Sequence, residues 1–167
     1  MMESNEKHLI SLYVSNKPGV LIRIALVFAK RGYNIDSLVV SPADNPHFSR
    51  MIITASGDPA TLEQILKQLN KLIDVVHAQD NTAGDSIQRE LALIKVKCTL
   101  EQRTELFQYA HVFGAKPLDM GESSVSFQIT DESSRINAFH KLLEKFEILE
   151  TVRTGKVLIL KNDAVSS

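Results

Sequence analysis

Asn16, Gly19, Asn34 and Ile35 are the residues of this 167-residue chain whose types and surroundings could hold a small ligand. They lie in NKPGVLIRIALVFAKRGYNIDSLVV, residues 16 to 40, where a strand ends, a glycine permits close approach and an apolar helix begins. The first N–H groups of a helix lack intrahelical partners and carry partial positive charge. An amino-acid carboxylate could bind there without any basic side chain. Asn16 offers both a donor and an acceptor and could hold an ammonium group. Gly19 has no Cβ, so a ligand or a second chain can come within contact distance. Asn34 and Ile35 open the next strand, expected at the same end of the sheet as the loop. There Asn34 could bond polar ligand groups while Ile35 lies against an aliphatic tail. The plainer alternative makes Asn16 an N-cap, Gly19 a packing glycine and Asn34 a polar residue at strand entry.

Catalytic chemistry finds no comparable pattern. The five histidines, His8, His47, His77, His111 and His140, never fall at i, i+3 or i+4, and none is near Cys98 in sequence. No zinc-ligand spacing results. GxGxxG, P-loop, GxSxG and HExxH motifs are all missing. Asp44, Asn45 and His47 cluster in one segment, but turns favour such residues for conformational reasons. Asp58-Pro59-Ala60 reads as a helix start.

The elements that must position these residues follow from periodicity. His8–Ser15 alternates as a strand, and Pro18 suits the first turn of a helix. Val20, Leu21, Ile24, Val27 and Phe28 keep helical spacing, and Gly32 ends that helix behind Lys30 and Arg31. Strands at 33–41 and 48–56 flank a turn at PADNPH. Gly57, Asp58 and Pro59 open a second helix with Leu62, Ile65, Leu66, Leu69 and Leu72 on one face. VVHAQ closes the half near Asp80. Asn81–Gln88 (NTAGDSIQ) reads as a linker. The pattern then repeats: a strand at 89–98, a helix at 101–112, strands at 116–120 and 123–130, and a helix at 132–145 capped by Asp131. A last strand pair, 148–153 and 156–160, turns at Thr154-Gly155. The fold class expected is α+β, two tandem ferredoxin-like βαββαβ sandwiches, with domains at 1–80 and 89–161, the linker at 81–88 and a disordered tail at 162–167.

Composition narrows the partners. Residues 1–80 carry 8 basic and 8 acidic side chains and the remainder 11 and 12, so neither half attracts nucleic acid or an anionic membrane. The longest apolar run, Ile24–Ala29, is six residues, far too short to span a bilayer. MMESNEKH lacks the form of a signal peptide. Cys98 is the sole cysteine, which excludes an intrachain disulfide and suits a reducing, cytoplasmic compartment. Its alternating neighbours Ile94 and Val96 make it a buried structural thiol.

Asn16-Lys17-Pro18-Gly19-Val20-Leu21-Ile22-Arg23 resembles the signature loop of ACT domains, which are amino-acid-binding βαββαβ modules. Arg31-Gly32-Tyr33-Asn34-Ile35-Asp36-Ser37-Leu38 narrows the resemblance to the small regulatory subunit of acetolactate synthase (acetohydroxyacid synthase). Phe48-Ser49-Arg50-Met51, QLNKLIDVV (68–76), RELALIKV (89–96) and RTGKVLIL (153–160) extend it. The resemblance is weak between Thr99 and Glu147, where CTLEQRTELFQYAHVFGAKPLDMGESS is shorter than the family's usual segment. Ser41 also stands where many relatives carry a small apolar residue.

The resemblance implies a regulatory chain with no catalytic site, no metal and no cofactor of its own. It implies that the first half, the ACT domain, binds valine or another branched-chain amino acid as a feedback effector. The effector would lie between two small subunits, a homodimer whose ACT sheets join side by side. Its contacts would fall on Asn16, Gly19, Val20, Leu21, Asn34 and Ile35. The partner would be the catalytic large subunit, a separate chain carrying thiamine diphosphate, magnesium and FAD. That chain starts branched-chain amino-acid synthesis, toward valine and isoleucine, by condensing two pyruvates or pyruvate with 2-oxobutyrate. Three other functions share some of these features: a sensor serving another enzyme or a transcription regulator, a small ferredoxin-like enzyme, and a passive dimerisation module.

Overall fold

A computed structural model describes residues 6–165. The chain divides into two units: one reaches Ile87 and resumes at Lys156, and the other spans Gln88–Gly155. Residues 1–5 and 166–167, part of the expected N-terminal segment and tail, lie outside the described residues.

The first unit runs β1 (Glu6–Ser15), α1 (Val20–Ala29), β2 (Asn34–Pro42), β3 (Phe48–Gly57), α2 (Pro59–Leu69) and β4 (Val75–Asp80). Its sheet has the order β2-β3-β1-β4, with β3 antiparallel to both β1 and β2. Alternate residues of β1 and β3 point the same way. Ile10, Leu12, Val14, Met51, Ile53 and Ala55 therefore meet Ile24, Phe28, Leu62 and Ile65 from the helices in one core. Each such side chain contributes about 1.5–3 kcal/mol on burial. Asp58 caps α2, its carboxylate accepting the Thr61 N–H at 2.8 Å. At the other end, Asn70 donates to the carbonyls of Leu66 and Ala78 and accepts the Ala78 N–H, tying α2 to β4.

The second unit repeats the plan with β5 (Ser86–Lys97), α3 (Arg103–Phe113), β6 (Lys116–Met120), β7 (Ser124–Asp131), α4 (Ser133–Leu143) and β8 (Glu147–Arg153). The order β6-β7-β5-β8 reproduces that of the first sheet. Ile94, Val96, Phe127, Leu106, Phe139 and Leu143 centre its core, where Cys98 is 3% exposed and packs as a small apolar residue. The fold is α+β, two tandem ferredoxin-like βαββαβ sandwiches.

Several local expectations require correction. Pro18 is not in the first turn of α1, because Gly19 is the N-cap and the helix begins at Val20. Asp131 does not cap α4. Glu132 occupies that position, and the Asp131 carboxylate instead accepts the Glu132 N–H and Arg135 Nε, both at 2.7 Å. The 81–88 segment is not a free linker. Asn81 donates its N–H to Leu9 O at 2.7 Å, Leu9 N–H reaches Thr82 Oγ1 at 3.0 Å, and β5 begins at Ser86. Polar residues read as linker composition here satisfy main-chain groups.

The final strands do not form a hairpin at Thr154-Gly155. β8 and β9 (Val157–Leu160) each pair with β5. Gly155 breaks the strand at φ 87°, while Thr154 stays bonded to Leu91, its N–H reaching Leu91 O at 3.0 Å. Residues from Lys156 onward group with the first unit. Asn162–Val165, expected as tail, are exposed and belong to no strand or helix.

Candidate functional site

The loop between β1 and α1 is built by backbone bonds to two neighbouring turns. Ser15 N–H donates to Asp74 O at 2.7 Å, and Asn16 N–H to His47 O at 2.8 Å. Asn16 Nδ2 donates to Pro46 O at 3.0 Å, so the side chain pins the β2–β3 turn and does not cap α1. Asn45, in the same turn, accepts the His47 N–H through Oδ1. The Asp44–Asn45–His47 cluster is thus turn chemistry.

Gly19 stands at the N-cap with φ 86°, a left-handed conformation that disfavours any residue with a Cβ. No side chain caps α1 and no acidic residue lies in its first turn. The partial positive charge of that helix end is left to the solvent side. Val20 is 3% exposed and its side chain belongs to the core, so it can offer a ligand only its main chain. Leu21 is exposed beside it. Sequence reasoning missed Arg23, whose guanidinium lies over Gly19 and forms an ion pair with Asp74. The signal was available, since residues four apart on a helix are neighbours.

Asn34 and Ile35 occupy the other end of the sheet, which corrects the expectation that they adjoin the loop. Ser15 pairs with Phe48, whereas Asn34 pairs with Ser56, eight residues further along β3. At about 3.3 Å per residue the two groups stand roughly 26 Å apart. A strand–helix–strand crossover makes β1 and β2 parallel, so β2 starts where β1 started. At that end Asn34 Nδ2 donates to Asp36 Oδ1 at 2.7 Å, and the other carboxylate oxygen of Asp36 accepts the Ser56 hydroxyl. Ile35 is half-buried against the core.

Asn34 and Ile35 lie on β2 itself, and Asn16 is bonded to the turn that ends β2. β2 is an edge strand, and Leu21, Ile22 and Leu26 on α1 and Val40 on β2 are all exposed. Arg23 is the single charged residue in the ten of α1. A helix so apolar on its outer face is ordinarily covered.

Among the described residues no group of three or more His, Cys, Asp or Glu could hold a metal ion, and no helix is long and apolar enough to cross a membrane.

Comparison with known proteins agrees with this architecture. Residues 10–77 match the AHAS small subunit-like ACT domain, and residues 89–162 match the family described as small subunit of acetolactate synthase. A probable acetolactate synthase small subunit of Methanothermobacter thermautotrophicus is 42% identical over 151 residues, 90% of each chain. The acetolactate synthase small subunit of Mycobacterium leprae is 39% identical over 150 residues, 90% of this chain and 89% of that one. The crystal structure of the acetolactate synthase small subunit from Thermotoga maritima superposes with a TM-score of 0.84 at 37% identity, covering 95% of this chain and 99% of that chain. The chain belongs to the acetolactate synthase small-subunit family, and its first unit is an ACT domain.

Proposed function

We propose that this chain raises the activity of the catalytic large subunit of acetolactate synthase and makes it sensitive to valine. The effector site is shared by two copies of the chain. One copy contributes Asn16, Gly19, Leu21 and the Val20 main chain; the other contributes Asn34 and Ile35. Thiamine diphosphate, magnesium and FAD belong in this reading to the large subunit, and none of them to this chain.

The observation that carries the reading is the placement of the two residue groups at opposite ends of one edge. Two copies joined antiparallel along β2 bring the start of each β2 beside the end of the other. That end adjoins the β1–α1 loop, so a two-fold axis creates two identical sites, each complete only across the interface. The same contact covers Leu21, Leu26 and Val40. Within such a site the uncapped end of α1 faces the effector carboxylate, Asn16 and Asn34 supply polar partners, and Ile35 meets the aliphatic tail. Burying that tail contributes about 1.5–3 kcal/mol, and leucine, one methylene larger, is disfavoured by only about 1–3 kcal/mol.

Acetolactate formation by the large subunit, with and without this chain and across a valine titration, tests the proposal. Stimulation with new valine sensitivity is expected. Stimulation without sensitivity removes the effector site, and no stimulation removes the partner.

A further inference from the structure

Arg23 was in none of the residue groups expected at the effector site, yet its guanidinium is the charged group set against Gly19. A Cβ added at Gly19 would meet Arg23 Nη1 at 3.2 Å, and beyond the adjoining residues Pro18 and Val20 no side chain other than Arg23 comes within 4 Å of that point. Nη2 of the same guanidinium is committed to Asp74 Oδ2. Asp74 in turn holds the end of β1, its carbonyl accepting the Ser15 N–H at 2.7 Å. One residue of the α2–β4 turn therefore grips both sides of the effector loop: the end of β1 through its carbonyl and α1 through its carboxylate. Exposure differs across the pair. The Arg23 side chain is 48% exposed and that of Asp74 only 20%, so a carboxylate arriving from solvent meets the guanidinium first.

We propose that Arg23 receives the carboxylate of the effector in competition with Asp74, so that occupancy reaches the α2–β4 turn as loss of the Arg23–Asp74 ion pair. The inference rests on the effector reading given above and adds to it the route by which binding is felt. A guanidinium presents a planar fork that fits a carboxylate through two parallel hydrogen bonds. Asp74 engages that fork through one nitrogen and one oxygen. A free amino acid lying over Gly19 can approach it side-on, with the α1 N-terminus adding its partial charge. Binding and release are then linked: whatever weakens the hold of Asp74 on Arg23 strengthens the hold of the effector, and the reverse.

Two substitutions separate this from a merely structural ion pair, because they break the same contact with opposite consequences. Binding of valine and of valinamide, which lacks the carboxylate, is measured by calorimetry on the full chain as Arg23→Gln and as Asp74→Asn. Arg23→Gln is expected to weaken valine by about tenfold or more while leaving valinamide nearly unchanged, the scale of one charge-assisted hydrogen bond. Asp74→Asn is expected to bind valine severalfold more tightly. In the reconstituted enzyme it should lose a smaller fraction of activity to valine, since part of the change is already made. Arg23→Lys, which keeps the charge but not the fork, should fall between wild type and Arg23→Gln, and it stands in if Arg23→Gln does not fold. Weakening of valine by both Arg23→Gln and Asp74→Asn, or an unaltered preference for valine over valinamide in Arg23→Gln, overturns the proposal while the effector site survives. Absence of valine binding by the unaltered chain overturns the effector site itself.

Discussion

Arg153 holds Glu90 by two parallel hydrogen bonds, Nε to Oε1 at 2.7 Å and Nη2 to Oε2 at 2.9 Å, with Ser133 Oγ adding a third at 2.5 Å. The Glu90 side chain is 6% exposed and that of Arg153 is 31% exposed. Glu90→Gln leaves Arg153 without its carboxylate. The expected loss is about 2 kcal/mol, short of the roughly 3–5 kcal/mol of a fully buried pair because Arg153 retains some water. Burial raises the Glu90 carboxyl, and the bonds from Arg153 and Ser133 outweigh it, so the group titrates below the ordinary glutamate range. A carboxyl lowered on folding stabilises above its unfolded pKa, and that contribution is withdrawn as pH falls through the folded value. Denaturant unfolding at a series of acidic pH values should show the second unit losing stability below the glutamate range. The slope should be shallower in Glu90→Gln.

The Tyr33 ring closes over Gly57 so tightly that a Cβ there would stand 2.2 Å from Cε2. Tyr33 is 6% exposed and donates its hydroxyl to Asp58 O at 3.0 Å. Burial, with Asp58 nearby, pushes its pKa up to about 12. The ring cannot retreat without losing that bond. Gly57→Ala should destabilise the first unit by about 2–3 kcal/mol through overpacking, read as a lowered denaturation midpoint. An unchanged midpoint would mean that the ring moves freely.

Gly19 carries two constraints that substitution can pull apart. Asn and Asp are similar in size and both tolerate left-handed backbone better than other residues with a side chain. Gly19→Asn and Gly19→Asp should therefore lose similar stability, about 1 kcal/mol. Only Asp adds a carboxylate beside Arg23 and the α1 N-terminus. Valine binding should be weakened in the first variant and abolished in the second. Equal binding by the two would show that charge at this position is irrelevant.

A site divided between two copies can be rebuilt from defective parts. Gly19→Asp and Asn34→Ala should each lose valine binding when pure. Mixed and refolded together, they form heterodimers in which one site carries both lesions and the other carries neither. About a quarter of wild-type capacity should then return, as two-fold symmetry requires. No recovery in a verified heterodimer would place all six residues within one chain, against the register of β2 and β3.

Much of the architecture was legible because periodicity reports burial. Leu62, Ile65 and Leu69 were assigned to one face of α2 and are buried there, and β6 has the bounds read from the sequence. What failed depended on direction or on non-local partners. The spacing between Gly19 and Asn34 says that two loops flank a helix; the crossover topology alone says that they lie at opposite ends. Pro18 carries the usual signal of a helix start, yet the left-handed Gly19 intervenes. Thr154-Gly155 has turn composition, but Leu91 is 63 residues away in the chain and keeps Thr154 in register with β5. Of the candidate site, Gly19 was found through its missing Cβ; the i,i+4 spacing from Gly19 to Arg23 was there to be read, whereas the ion pair of Arg23 with Asp74, 51 residues away, was not.

The single cysteine gives the chain an internal clock. Cys98 packs in the core of the second unit at 3% exposure, and no other thiol competes for reagent. At that exposure alkylation proceeds chiefly when the surroundings of Cys98 loosen, so its rate in native buffer reports on excursions of the second unit. Any ligand that slows the reaction while bound to the first unit would reveal a stiffening passed along the polypeptide, without a label having been introduced.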